Sequence, residues 1–144
     1  ERFQMYAFSV ANYFGREIEP KVRADIVIYL AQVESISCSL GASAKNKYEA
    51  AIAHFDKSGI LGVLSKSLKV LDGESIGKSL TALRADIVHY GRPKKQSERM
   101  SFADVISVKK CLEMIICSAI YKELGVPDSN IVEFQKYQLR FFPK

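Results

Sequence analysis

The sequence predicts an all-α fold, a single bundle of five or six helices occupying residues 1–144 as one domain. Three observations carry that expectation. Apolar residues recur at three- and four-residue spacing almost throughout, which is the period of one helix face. No segment alternates apolar and polar residues long enough to make a half-buried strand. The 144 residues, 48% of them hydrophobic, suit one packed core and leave little material for a second.

Each element has its own signals. A first helix is expected from about Phe3 to Ile18, stopping before Pro20 because a proline turns its predecessor away from helical geometry. Its aromatics Phe3, Tyr6, Phe8, Tyr13 and Phe14 read as core. A second helix, about Lys21 to Leu40, has Pro20 near its start and Gly41 as its C-terminal cap. Ser43 is placed to cap a third, Lys45 to about Phe55, ended by the Asp56-Lys57-Ser58-Gly59 turn. Ile60 to Leu71 forms a shorter helix. Asp72-Gly73 breaks it, with Asp72 as N-cap of the next, about Glu74 to Tyr90. The loop from Gly91 to Met100 carries Arg92, Lys94, Lys95 and Arg99 against Glu98 alone. Ser101, with Asp104 three residues on, reads as a capping-box variant opening a long helix to about Leu124. Gly125 and Pro127 end it, and Ile131 to Phe142 makes a short amphipathic tail helix.

Composition narrows the function classes. The 21 Lys and Arg against 16 Asp and Glu leave a formal charge of +5, which permits a polyanionic partner without demanding one. The apolar runs are too short for a membrane span of ~20 residues. No signal peptide opens the chain, and it starts on Glu1, as a processed chain or one domain of a longer protein would. Cys38, Cys111 and Cys117 are an odd number and lie inside apolar helical stretches. They read as small buried hydrophobes in a reducing, cytoplasmic setting. With two histidines and no Cys-x-x-Cys pair, no metal site or other cofactor is expected.

One stretch concentrates chemistry: Leu80-Thr81-Ala82-Leu83-Arg84-Ala85-Asp86-Ile87-Val88-His89-Tyr90-Gly91. Arginine is permanently charged and grips a phosphate through a planar fork of donors. Histidine has the unperturbed pKa closest to neutrality, so it moves protons in either direction. Transesterification of RNA needs both: the 2′-hydroxyl loses a proton, the 5′-oxygen gains one, and the phosphorane charge is stabilised. At about 100° per residue, Ile76, Leu80, Leu83 and Ile87 fall on a core stripe, with Lys78, Ala82, Ala85 and His89 nearly opposite. Five residues turn a regular helix by about 140°, so Arg84 and His89 share a cleft only if the last turn unwinds or a partner chain supplies the complement. A plainer reading makes His89 a dipole-compatible helix end and Arg84 a solvated charge.

Arg84-x-x-x-x-His89, on the penultimate long helix of an all-α domain, resembles the Arg-x4-6-His signature of HEPN domains. Leu83 to Gly91 is similar to the pattern in bacterial abortive-infection and toxin members, where an apolar pair precedes His and a glycine follows. Leu30-Ala31-Gln32-Val33-Glu34-Ser35 resembles, more loosely, an early helix of the same domains. The resemblance implies a homodimer with a composite site. It also implies metal-independent endoribonuclease activity leaving a 2′,3′-cyclic phosphate and a 5′-hydroxyl. The implied setting is phage defence or a toxin system, with an antitoxin or fused sensor domain as partner.

On this reading Arg84 stabilises the scissile phosphate and His89 is general acid or base. Glu34, in an otherwise apolar helix, either orients Arg84 through a buried or interfacial ion pair or lies exposed on a polar stripe. Arg92, Lys94 and Lys95 hold flanking RNA phosphates, and Tyr90 stacks on a base. Ala85 stands where active members often carry a polar residue, so the alternatives are a non-catalytic HEPN module that dimerises and binds nucleotide or RNA, and a helical interaction domain. His54 has no arginine at matching spacing and reads as a surface or packing residue. The echo Arg23-Ala24-Asp25-Ile26-Val27-Ile28-Tyr29, with Ile28 in place of the histidine, reads as coincidence.

Overall fold

The computed structural model of the chain describes residues 2–89 and 94–143, with side chains from Glu19 onward. Among them lie six α-helices and no strand: α1 Arg2–Ser39, α2 Glu49–Phe55, α3 Ile60–Ser67, α4 Ile76–Val88, α5 Phe102–Glu123 and α6 Asp128–Leu139. Two 3₁₀ turns, Ala44–Asn46 and Ser97–Arg99, precede α2 and α5. The all-α bundle expected from periodicity is therefore what the chain forms. The aromatics expected in the core before Ile18 lie outside the described side chains.

The pairing of α1 with α5 is the axis of the bundle. Helices α2 and α4 pack on α1, while α3, α6 and α2 pack on α5. Ile26, Leu30 and Val33 of α1 are fully buried, as are Val105, Val108, Leu112 and Ile115 of α5. Leu80 and Leu83 seat α4 on the same core, and Ile76 and Ile87 pack against its edge. Burying each such side chain stabilises the fold by roughly 1.5–3 kcal/mol, so this apolar face fixes where α4 lies.

From α1 to the start of α4, helix boundaries differ from expectation in four places, each for a physical reason. The first two predicted helices are one helix, with Pro20 inside it. Pro20 is exposed, so its ring does not have to be fitted into the core. The buried row Val22, Ile26, Leu30 and Val33 holds the chain helical beyond it. The predicted third helix is broken into a 3₁₀ turn and α2, and the Glu49 carboxylate at the start of α2 accepts from Gly77 N (3.1 Å) in the first turn of α4. Helix α3 stops at Ser67, not Leu71. Lys69 there adopts a left-handed φ of 51°, and Val70 N bonds back to Ser65 O (3.2 Å). Helix α4 starts two residues later than expected: the Asp72-Gly73 turn is spent first, and Ser75 Oγ, not Asp72, accepts from Lys78 N (3.1 Å).

The cap of α5 is as the sequence predicts. Ser101 Oγ accepts from Asp104 N (3.1 Å) and Asp104 Oδ2 accepts from Ser101 N (2.8 Å). Helix α6 begins earlier than expected, at Asp128, and carries a fully buried Gln135. Its Nε2 donates to Phe55 O (2.6 Å) and Ser118 Oγ (2.8 Å), and its Oε1 accepts from Lys57 N (2.9 Å). One side chain thus satisfies backbone groups that the end of α2 leaves orphaned.

Candidate functional site

Helix α4 presents the Arg84–His89 segment with its apolar side on the core. Arg84 is half-buried, and its Nε is buried with no hydrogen-bond partner among the described residues. Ala82 and Ala85 are half-buried on the outer side. The helix ends at Val88. His89 N still donates to Ala85 O (2.9 Å), but its φ of −95° and ψ of 105° carry the chain away in extended geometry. The 100° spacing rule therefore stops applying one residue short of the histidine, and the exposed imidazole is not bound to the outer face of α4.

Asp86, between the two, organises the surroundings. Its Oδ2 accepts from Gln96 N (2.9 Å) and Ser97 N (2.7 Å), tying the far end of the basic loop to the last turn of α4. Gln96 is almost fully buried. Its Nε2 donates to Leu68 O and reaches Met100 Sδ (3.6 Å), and its Oε1 accepts from Arg99 Nη2 (2.8 Å). Arg23 of α1 adds a bond from Nη1 to Ser97 Oγ (3.3 Å) while its Nη2 pairs with Glu19 (2.9 Å). A cleft of about 580 Å³ results, lined by Arg23, Pro20, Asp86, Ile87 and Lys94 among others. Lys94 and Lys95 are exposed at this end of α4. Tyr90 and Arg92 lie outside the described residues.

Glu34 is not brought to Arg84. No ion pair within 4.0 Å joins them among the described residues, whose carboxylate partners for arginine and lysine lie elsewhere. The cause is register. Asp86 and Ile87 share a cleft with residues 19–24, while Gly77 bonds Glu49 and Ala51 N donates to Ser37 Oγ (3.0 Å). So α4 runs antiparallel to α1, and Glu34 stands level with the start of α4. At ~1.5 Å per residue it lies on the order of 10 Å from Arg84 along the axis. Within one chain, then, the half-buried Glu34 is not paired with the arginine.

The remaining candidates fall into place individually. His54 is exposed and stacks edge-on against Phe55, with ring centroids 4.7 Å apart. Cys38 is exposed, contrary to expectation, because α1 has only one residue left to run and its buried row ends at Ser37. Cys111 is buried, and burial pushes its thiol up to about 12. Among the described residues no group of three or more His, Cys, Asp or Glu is arranged to hold a metal, and no helix is long and apolar enough to cross a membrane. A more apolar recess of about 410 Å³ lies between α1, α5 and α6, beside Tyr29, Glu113 and Phe134. There Tyr29 Oη donates to Glu113 Oε1 (2.9 Å), and that bond with burial raises the phenol to about 12.

Sequence reasoning did not pick out Asp86, Gln96 or Arg23. Asp86 carried one signal, since an acid in the last turn of a helix opposes the macrodipole and calls for a compensating partner. Gln96 carried none. No protein-family model, curated protein or solved structure matches the chain.

Proposed function

We propose that the chain is a metal-independent endoribonuclease of the HEPN type, acting as a dimer in a phage-defence or toxin setting. Arg84 stabilises the phosphorane charge, and His89 takes the 2′-hydroxyl proton or delivers one to the leaving 5′-oxygen. The bond from the 2′-oxygen to phosphorus forms as the bond from phosphorus to the 5′-oxygen breaks. The observation that supports this reading is the grip of Asp86 on Gln96 and Ser97. It brings the Lys94-Lys95 backbone to the end of α4 that carries Arg84 and His89. Cations for phosphate contact then adjoin a proton-transfer group and an arginine with an unengaged Nε.

A second reading, a non-catalytic module that binds nucleotide or RNA, has its own support. Arg84 is half-buried while His89 is exposed beyond the helix end, and Ala85 offers no polar group to orient either. One experiment separates the two: cleavage of a mixed, end-labelled RNA in EDTA. Positioned acid–base help is worth about 10²–10⁴-fold, so His89→Ala is expected to lose that much rate while keeping its fold. Arg84→Ala loses a comparable amount, and Arg84→Lys recovers little because an ammonium keeps the charge without the fork. His54→Ala cuts at the parent rate. Cleavage that requires a divalent ion, or that survives His89→Ala, overturns the proposal. A parent chain that binds RNA and never cuts it gives the second reading.

A further inference from the structure

We propose that Asp86 is a positioning residue, fixing the return of the basic loop against α4 so that Lys94 and Lys95 meet the phosphates flanking the bond that Arg84 and His89 act on. The proposal rests on the RNA-cleaving reading above. An acid in a helix's last turn faces the negative end of the macrodipole, yet Asp86 accepts two backbone N–H groups there, from Gln96 and Ser97. The same two residues are held from two other directions, and a backbone bond closes the turn around them. Gln96 bonds Leu68 O at the end of α3, Ser97 Oγ accepts from Arg23 of α1, and Glu98 N donates to Lys94 O (2.9 Å). On the loop's side, all of this engages backbone groups or the side chains of residues 96 and 97. The two lysines just before them are exposed and enter no ion pair among the described residues. Fixed backbone at residues 94–98 with uncommitted cations on it is the arrangement of a preorganised phosphate contact, because that stretch does not have to be ordered on binding.

The sign of one substitution tests this. Asp86→Ala and Asp86→Asn remove the same negative charge, which alone tightens binding to a polyanion. Only asparagine keeps an acceptor oxygen for the two N–H groups. Both are made in the His89→Ala background and titrated with a fluorescein-labelled single-stranded RNA across a salt series. Amide hydrogen exchange at Gln96 and Ser97 is measured alongside. The expected result is weaker binding and faster exchange for Asp86→Ala, with protection and affinity kept in Asp86→Asn. The Ala variant should lose about 1.4 units of log–log salt slope, the contribution of two phosphate contacts on a single strand.

If Asp86→Ala is unfolded by circular dichroism, Asp86→Glu replaces it. The added methylene displaces the carboxylate at constant charge, and the same loss of protection and slope is expected. Unchanged exchange overturns the tie itself. Faster exchange with the salt slope intact overturns its role in placing the lysines. A parent chain without RNA affinity overturns the nuclease reading and this role with it, and the exchange rates then show whether the tie exists on its own.

Discussion

Asp56 shows how much one side chain can settle. Its two carboxylate oxygens accept backbone N–H groups from Ser58, Gly59, Ile60 and Leu61, closing the turn between α2 and α3. Burial by itself raises this carboxyl, but the four N–H bonds together outweigh it and hold the group below the ordinary carboxylate value. Asp104 in the α5 cap is lowered likewise, by its Ser101 bonds and Lys69 against the opposing effect of burial. A carboxyl depressed in the folded state contributes stability that is fully present above its unfolded value of about 3.9. That contribution is lost as pH falls through the folded value. Acid unfolding of the parent is therefore expected to steepen below about pH 4. Asp56→Ala should flatten that limb and lower stability at neutral pH by about 1–3 kcal/mol, read by urea titration at several pH values. Both aspartates belong to patterns that close within five residues, and the Ser101–Asp104 cap was accordingly legible in sequence. Asp86 spans ten residues to Gln96, and its partners are backbone groups that any sequence has, so nothing in the side-chain pattern announced them.

At the scale of elements, periodicity told which faces are buried more reliably than punctuation told where helices stop. The stripe Ile76, Leu80, Leu83, Ile87 is the one α4 turns to the core. Pro20 was the misleading sign. A proline is a local penalty, and the continuous apolar row on α1 is a tertiary term that exceeds it. The pairing of Glu34 with Arg84 is absent within one chain for a related reason, since helix identity is readable from spacing but the register between two helices is not. Helix α6 joins the bundle partly through a polar device, Gln135, that amphipathic patterning treats as an exposed position. Gln135→Leu keeps the volume roughly constant but leaves Phe55 O, Lys57 N and the Ser118 hydroxyl without this partner. At about 1–3 kcal/mol for a buried group left unsatisfied, the loss should exceed 2 kcal/mol, or a fall in Tm of roughly 5 °C or more. A calorimetric scan within 1 °C of the parent, a margin of about 0.3 kcal/mol by the same conversion, would remove Gln135 as the clasp.

For the whole molecule, the small-residue face Ala82 and Ala85 remains half-buried beside Arg84 and leaves room for a second backbone to approach. A two-fold contact there is isologous, and it would set each protomer's His89 near its partner's Arg84. Light scattering is expected to show a dimer that Ala82→Arg dissociates and that His54→Ala leaves intact. A parent that stays monomeric at high micromolar concentration, or a dimer indifferent to Ala82→Arg, would exclude this interface. The pairing of α1 with α5 has a further effect that belongs to the time before the bundle exists. Val22, Ile26, Leu30 and Val33 are made early, yet the α5 residues that cover them, Val105 to Ala119, are among the last third of these residues to be made. At about 5–20 residues per second, this apolar row waits on the order of ten seconds on the ribosome without its partner. The Phe55 carbonyl waits about as long, until Gln135 is added. Folding of this domain is thus held back until nearly all of it has been translated, and the emerging α1 is the part of the nascent chain that a chaperone would have most reason to shield.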